Sequence, residues 1–383
     1  MSFFFSKENK EEIIALFDIG SGSVGGAIIL ASKKGAPTML ASFRRNFKLR
    51  NSVSAKEVKK EMLSALGEVA AKIQKTVHAI PDKVYATLSY PWSRASFRKI
   101  KHSQKEGFVF TEKEAKRMIK DEISRFQKEN SGFEEIIDRR VTNILLNGFE
   151  LKNPHGKRAK ECEIQIFLSL ADSEIVDKIE DVIMKTYHRN IKFTSQMFAN
   201  FVVVRDIFDN VDDFTIIDVD EEITEVSVMV DDNLLGTETF FSGKNTFIKK
   251  VSESLKKDIK DTVSLISLYK DSHLHDSRVG EVELAVRNAN KEWMDDLKKT
   301  LTTLFYDLLI PHNIFLICDS NAEKFYSNLL QKGNFPEFTT TKDSFNVIIS
   351  GAGVLRDFCK MSYNVRQDPN LIIQSIYINK INF

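Results

Sequence analysis

The sequence predicts an α/β protein built of two similar halves, with an α+β unit inserted in the first. Three observations carry this. The stretches "ALFDIGSGSVGGAIIL" and "TIIDVDEEITEVSVMV" superpose without a gap when Asp18 is set on Asp218, apolar on apolar on both sides of a tight turn. Each stretch opens a region in which strand-like and helix-like patterns alternate. At 383 residues the chain also exceeds what a single hydrophobic core usually serves.

Taken in order, residues 13 to 31 read as a β-hairpin around a Gly/Ser turn. Val58, Met62, Leu63, Leu66, Val69, Ala70 and Ile73 then recur at helical spacing over 55 to 77, and "KVYATLSYP" at 83 to 91 reads as a strand. From 84 to 191 the texture changes to an inserted α+β unit. Its helix is marked by Thr111 and Glu114 in capping-box spacing, with Ala115, Met118, Ile119, Ile123 and Phe126 on one face. Strand-like stretches follow around Asn147-Gly148 and "NPHG", and a helix over about 172 to 187 closes the unit. "FTSQMFANFVVVRDIF" reads as helical and completes the first half, 11–83 with 192–212. The second half, 213–383, opens on the second hairpin and carries a helical segment over about 246–310. Strand "NIFLIC", helix "AEKFYSNLL" and strand "FNVIIS" follow. The C-terminal "NLIIQSIYINKINF" alternates like a strand or a short amphipathic piece.

Bulk composition excludes several classes of function. Lys+Arg of 55 against Asp+Glu of 54 gives no argument for nucleic-acid binding. Cys162, Cys318 and Cys359 are odd in number and lack metal-ligand spacing, which fits a reducing cytoplasm. No apolar run approaches the roughly 20 residues of a membrane-spanning helix, and "MSFFFSKENKEE" is too charged for a signal peptide. Arg94, Arg98, Lys99, Lys101 and Lys105 read as a solvated face diluted by Glu106 and Glu112. The histidines show no metal spacing, and no catalytic residue is assigned.

Paired hairpins with an Asp ending each first strand resemble the actin, hexokinase and Hsp70 superfamily. Within it the chain looks most like the bacterial cell-division actin FtsA, with the pilus protein PilM as a relative. The resemblance rests on "DIGSGSVGGAII" as first phosphate loop, "GFELKNPHGKRAKECEIQIFL" as FtsA-type inserted subdomain, and "FFSGKNTFIKKVSESLKKDI" as the Gly-Gly-Asn turn and helix. It implies an actin-like (ribonuclease H-like) fold binding ATP and Mg²⁺. The implied nucleotide contacts are Asp18, Gly20, Ser21, Gly22 and Ser23, with Asp18 holding a hydrated Mg²⁺, and Asp218, Thr224, Ser242 and Gly243 across the cleft. For the adenosine loop two stretches stand open, "SGAG" with Ser350, Gly351 and Gly353, and "CDSNAEKF" at 318 to 325.

The second loop departs from that pattern. Where the superfamily favours three glycines, this chain has Asp220, Glu221 and Glu222, and only Glu225 stands near the family's loop-ending Asp. A carboxylate about 5 Å from a phosphate charge costs on the order of 3 kcal/mol at an effective dielectric near 20, which weakens binding roughly a hundredfold. The turn therefore reads as a phosphate loop by descent, hostile to phosphate, or as a solvated acidic hairpin tip. The expectation is a cytoplasmic structural protein of cell division with a weakened or lost ATP cleft. Its partners by resemblance are the tubulin-like FtsZ, other division proteins and further copies of itself. The membrane is reached only through partners, since the C-terminal tail lacks the cationic amphipathic period of an anchor. An active ATPase and a PilM-like adaptor are the alternatives.

Overall fold

In the computed structural model, residues 11–49, 54–151, 153–231, 233–270, 278–305, 310–333, 335–339, 342–363 and 365–383 are described. The first half opens with β1 (Glu11–Ile19), β2 (Ser23–Ser32), β3 (Thr38–Asn46), α1 (Ala55–Val77) and β4 (Lys83–Leu88). α1 starts at a capping box of Ser54 and Glu57 and buries Met62, Leu66, Val69 and Ile73 on the sheet, the face its apolar spacing predicts.

The inserted unit comprises β5 (Ser93–Val109), α2 (Glu112–Glu129), β6 (Glu135–Leu146), β7 (Phe149–Glu150) and β8 (Arg158–Ala171). They form a separate four-stranded sheet in the order β5-β8-β6-β7. Thr111 and Glu114 form the expected capping box of α2. Asn147 and Gly148 both take positive φ, as a two-residue hairpin turn requires. Of the basic residues on β5, Arg98 bonds Glu122 and Glu129 and Arg94 lies over the rings of Tyr90 and Phe133, while Lys99, Lys101 and Lys105 are exposed.

The chain then returns through α3 (Ser173–Tyr187), β9 (Ile191–Ser195) and α4 (Gln196–Ile207). The insert is therefore narrower than the expected 84–191. β4 and β9 pair within the first sheet, and α3 packs on α1 with Ile179 and Ile183 in the same core as Leu66 and Val69. The start of "FTSQMF", expected as helix, is the end of β9, because Val84 to Leu88 offer it a parallel partner.

The second half contains β10 (Phe214–Val219), β11 (Thr224–Val230), β12 (Asn233–Phe240), α5 (Lys244–Leu255), α6 (Ile259–Lys270), α7 (Arg278–Phe305), β13 (Asn313–Cys318), α8 (Glu323–Lys332), β14 (Asn346–Ile349) and α9 (Ala352–Leu355). The expected helical segment 246–310 holds α5, α6 and α7, and its residues 271–277 and 306–309 lie outside the described residues. Last come β15 (Lys360–Met361) and α10 (Pro369–Asn382).

Apart from β15 at the edge of the first, the two large sheets share one topology. The first runs β15-β3-β2-β1-β4-β9 and the second β12-β11-β10-β13-β14. In each, the opening strand pairs antiparallel with its hairpin partner and parallel with a later strand: β1 with β2 and β4, β10 with β11 and β13. Asp18 faces Gly25 and Asp218 faces Glu225, so the predicted superposition of the two hairpins holds residue for residue.

The C-terminal segment corrects two expectations. β15 pairs with β3, and α10 joins a core with Leu16 and Ile29 of the first sheet, Phe198 and Phe201 of α4, and Phe214 and Phe315 of the second. The end of the chain thus belongs with the first half and fills the space between the sheets. It is also a helix. Leu371, Ile372, Ile373, Gln374, Ser375, Tyr377 and Ile378 are all buried, so no polar stripe exists to reveal a helical period. Its start is written locally, by Asp368 as N-cap and Pro369 in the first turn. Among the described residues no helix is long and apolar enough to cross a membrane.

Candidate functional site

The duplication brings the two hairpin turns face to face. Each closes the same way, Gly20 N–H to Ser23 O and Asp220 N–H to Ile223 O, both at 3.0 Å. Across the gap, Ser21 donates from its amide and its hydroxyl to Oδ2 of Asp220, at 2.8 and 2.7 Å. Glu222 N–H returns a bond to Ser21 Oγ at 3.0 Å. A β-carbon on Gly22 would lie 2.5 Å from Cβ of Glu221, and one on Gly243 would lie 2.5 Å from the Asp220 carbonyl oxygen. These glycines let the turns and the start of α5 touch. The first amides of α5 are taken too: Lys244 N–H bonds Asp220 O at 3.0 Å and Asn245 N–H bonds Glu221 O at 2.6 Å.

Several of the charges around the turns have partners within the chain. Arg44, on β3, reaches Asp18 at 2.5 Å, Asp368 at 2.6 Å and Ser23 Oγ at 2.7 Å. Burial alone would push the Asp368 carboxyl up, but Arg44 holds it below the usual range; for Asp18 burial outweighs Arg44 and the carboxyl is raised. The carboxylate of Asp18, expected to hold magnesium, is bonded to the Arg44 guanidinium here. Among the described residues no group of three or more His, Cys, Asp or Glu is arranged to hold a metal ion. Nor is the acidic turn a solvated tip. Glu221 is buried, and burial together with Asp220 pushes its carboxyl up to about 8. Glu225 rises to about 7 for the same two reasons. Lys244 stands 3.5 Å from Glu221 and 3.1 Å from Asp319, and Lys249 and Asn245 hold Glu222.

Asp218 is raised well above its ordinary value, by burial first and then by Glu225. It accepts from Asn200 Nδ2 at 2.7 Å. That bond ends a buried chain from Gln374 of α10 to Gln196, on to Asn200 of α4, and so to the second sheet. Thr224 and Ser242 are bonded to each other, Thr224 Oγ1 to Ser242 O at 2.7 Å, and Trp293 Nε1 donates to the same hydroxyl.

Little space remains between the turns. The cavity bounded by Asp18, Gly20, Asp218, Asp220, Ile223 and Glu225 measures about 10 Å³, the room of one water at most. A second cavity of about 170 Å³ lies beside Arg44, Glu221, Lys244, Asp319 and Arg366, below the roughly 300 Å³ at which small-molecule sites begin. A larger groove of about 520 Å³ opens outward between the halves, from Ser21, Gly22, Glu222 and Lys249 at the turns to Phe47 and Tyr90. The Ser21 amide and hydroxyl are both occupied by Asp220 in this structure.

No family model and no curated protein matches the sequence. Solved structures do match. The PilM-PilN type IV pilus biogenesis complex aligns over 96% of this chain and 96% of that one, at 14% identity and a TM-score of 0.64. Full-length agreement joins the duplicated sheet order already described. The chain has the actin-like fold. Two further structures align with lower scores. The ethanolamine utilization protein EutJ from Carboxydothermus hydrogenoformans has 9% identity, 97% and 89% coverage and a TM-score of 0.46. A Bacteroides thetaiotaomicron protein with actin-like ATPase fold has 10% identity, 98% and 99% coverage and a TM-score of 0.42.

Within this actin-like fold the candidate residues sort clearly. Asp18, Gly20, Ser21, Gly22 and Ser23 meet Asp218, Asp220 and Gly243 at the junction of the halves, with Thr224 and Ser242 packed behind the second turn. Ser350, Gly351 and Gly353 do not join them. They follow β14, which lies beyond β13 in the sheet, and Gly351 packs against the Glu323 carboxylate. The turn after β13, Asp319 to Asn321, lines the 170 Å³ cavity instead. Sequence reasoning missed Arg44, Asp368 and the Gln374–Gln196–Asn200 chain. The one local signal for Arg44 is a pair of charges, Arg44 and Arg45, inside an otherwise strand-like run.

Proposed function

We propose that this chain is an actin-fold adaptor, acting through contacts with other proteins, whose cleft takes ATP and Mg²⁺ weakly or not at all. The observation that carries the reading is the Asp220 carboxylate seated on the amide and hydroxyl of Ser21. Donors that a phosphate loop would offer to a ligand are spent within the protein, and the nearby Asp18 is spent on Arg44. Catalysis of phosphoryl transfer has no support from such a site, because it depends on donors and a metal aimed at the transferred group.

An adaptor role is favoured over a division scaffold by the full-length likeness to PilM, a protein solved in complex with PilN. The division reading, with an FtsZ-like partner and self-assembly, is the rival on the same fold. A binding assay separates the two: the purified chain is offered cytoplasmic peptides of pilus-assembly membrane proteins and, separately, the C-terminal tail of the tubulin-like protein. The adaptor reading expects capture of a pilus peptide with equal affinity with and without ATP. Capture of the tubulin-like tail alone, or capture that requires ATP, overturns it.

A further inference from the structure

We infer that the acidic turn at 220–222 is a tethered ligand, which fills the anion position of the first loop and holds the two halves together without any small molecule. The inference rests on the adaptor reading of the cleft and assigns a task to the three carboxylates that reading leaves unexplained.

Each acidic side chain has a distinct position. Asp220 points across the gap to the Ser21 amide and hydroxyl. Charge-assisted bonds of this kind are stronger than neutral ones, and they link residues on different sheets. Glu221 turns inward, its Cβ against Gly22, with Lys244 as counter-charge. Glu222 turns outward to Lys249 and Asn245 of α5, while its amide closes the circuit on Ser21 Oγ. One turn thus binds the opposite turn and its own helix together. Simple repulsion between acidic neighbours would splay the turn into solvent, whereas Glu221 is 5% exposed.

In a ligand-gated cleft the halves close when an anion bridges two sets of donors. Here the bridge is covalently part of one half, so its effective concentration at the other is fixed by the fold. Closure becomes a constitutive state, and any partner surface spanning both halves is always presented.

Amide hydrogen exchange on the full chain tests this, comparing wild type with Asp220→Ala and Ser21→Ala. The inference expects the amide of Ser21 to exchange at least roughly tenfold faster in Asp220→Ala, with β13 unchanged as an internal control. In Ser21→Ala the Glu222 amide, deprived of its acceptor, should accelerate likewise. Wild-type exchange should not respond to millimolar inorganic phosphate or ATP with Mg²⁺. Should Asp220→Ala fail to fold, Ser21→Ala decides. Unchanged exchange at these amides, or slowing of the wild type by phosphate or ATP, overturns the tethered ligand. Loss of partner capture while these amides stay protected counts against the adaptor reading alone.

Discussion

The guanidinium of Arg44 bonds Asp18 at 2.5 Å and Asp368 at 2.6 Å, which ties the first hairpin to the N-cap of the C-terminal helix. All three groups are nearly buried. Removing the cation would strand two carboxylates away from water, which typically costs about 3–5 kcal/mol. Arg44→Ala should therefore lower stability by that order in urea unfolding. Arg44→Lys should recover only part, because an ammonium cannot serve both carboxylates with a planar fork. A loss under about 1 kcal/mol in Arg44→Ala would show that the pair is not a brace.

The carboxyls of Glu221 and Glu225 give a pH prediction with a definite sign. Both titrate above the ordinary carboxylate value of 4.5 in the folded chain, near 8 and 7. Between those limits the folded state holds protons that the unfolded state has released. Stability should therefore be fully present below about pH 4.5 on their account and fall as pH rises to 8, by at most about 1.4 kcal/mol per unit for each group. Asp368, held low, acts oppositely and only under acid conditions. Thermal unfolding between pH 5 and 8 should show a midpoint that drops with rising pH, and Glu221→Gln should flatten the slope. A midpoint that climbs over this window contradicts the assignment.

Two glycines that look alike in the sequence should respond differently. Gly22→Ala drives a β-carbon to 2.5 Å from Glu221, whereas Gly353 has nothing within 4 Å of the added atom. Gly22→Ala should cost about 1–3 kcal/mol by overpacking. Gly353→Ala, in the short helix α9, should be neutral or stabilising by up to about 1 kcal/mol. Equal effects in denaturant unfolding would place the site glycines wrongly.

What was legible in the sequence followed the range of the signal. The hairpins around Asp18 and Asp218 each carry their own alternation and turn, and the capping box at Thr111 lies within one helical turn. The narrower insert and the return of α10 were not legible, because strand neighbours such as β15 and β3 are decided by packing far along the chain. α10 is buried on most sides, its polar Gln374 and Ser375 included, and shows no helical period. For the site, local charge at 220–222 was readable and its compensation was not. Ser21 stands 199 residues from Asp220, and Arg44 stands 324 from Asp368. Read alone, the acidic turn looks repulsive; in the fold Asp220 meets the Ser21 donors, and Glu221 and Glu222 meet Lys244 and Lys249.

The most direct test of the central claim is calorimetric titration of the purified wild-type chain with ATP and Mg²⁺, at protein concentrations able to detect a dissociation constant of about 1 mM. The account predicts no binding heat and no rise in the thermal midpoint with nucleotide. A micromolar dissociation constant would contradict it, since Asp220 would then have yielded its place on Ser21 to an outside phosphate.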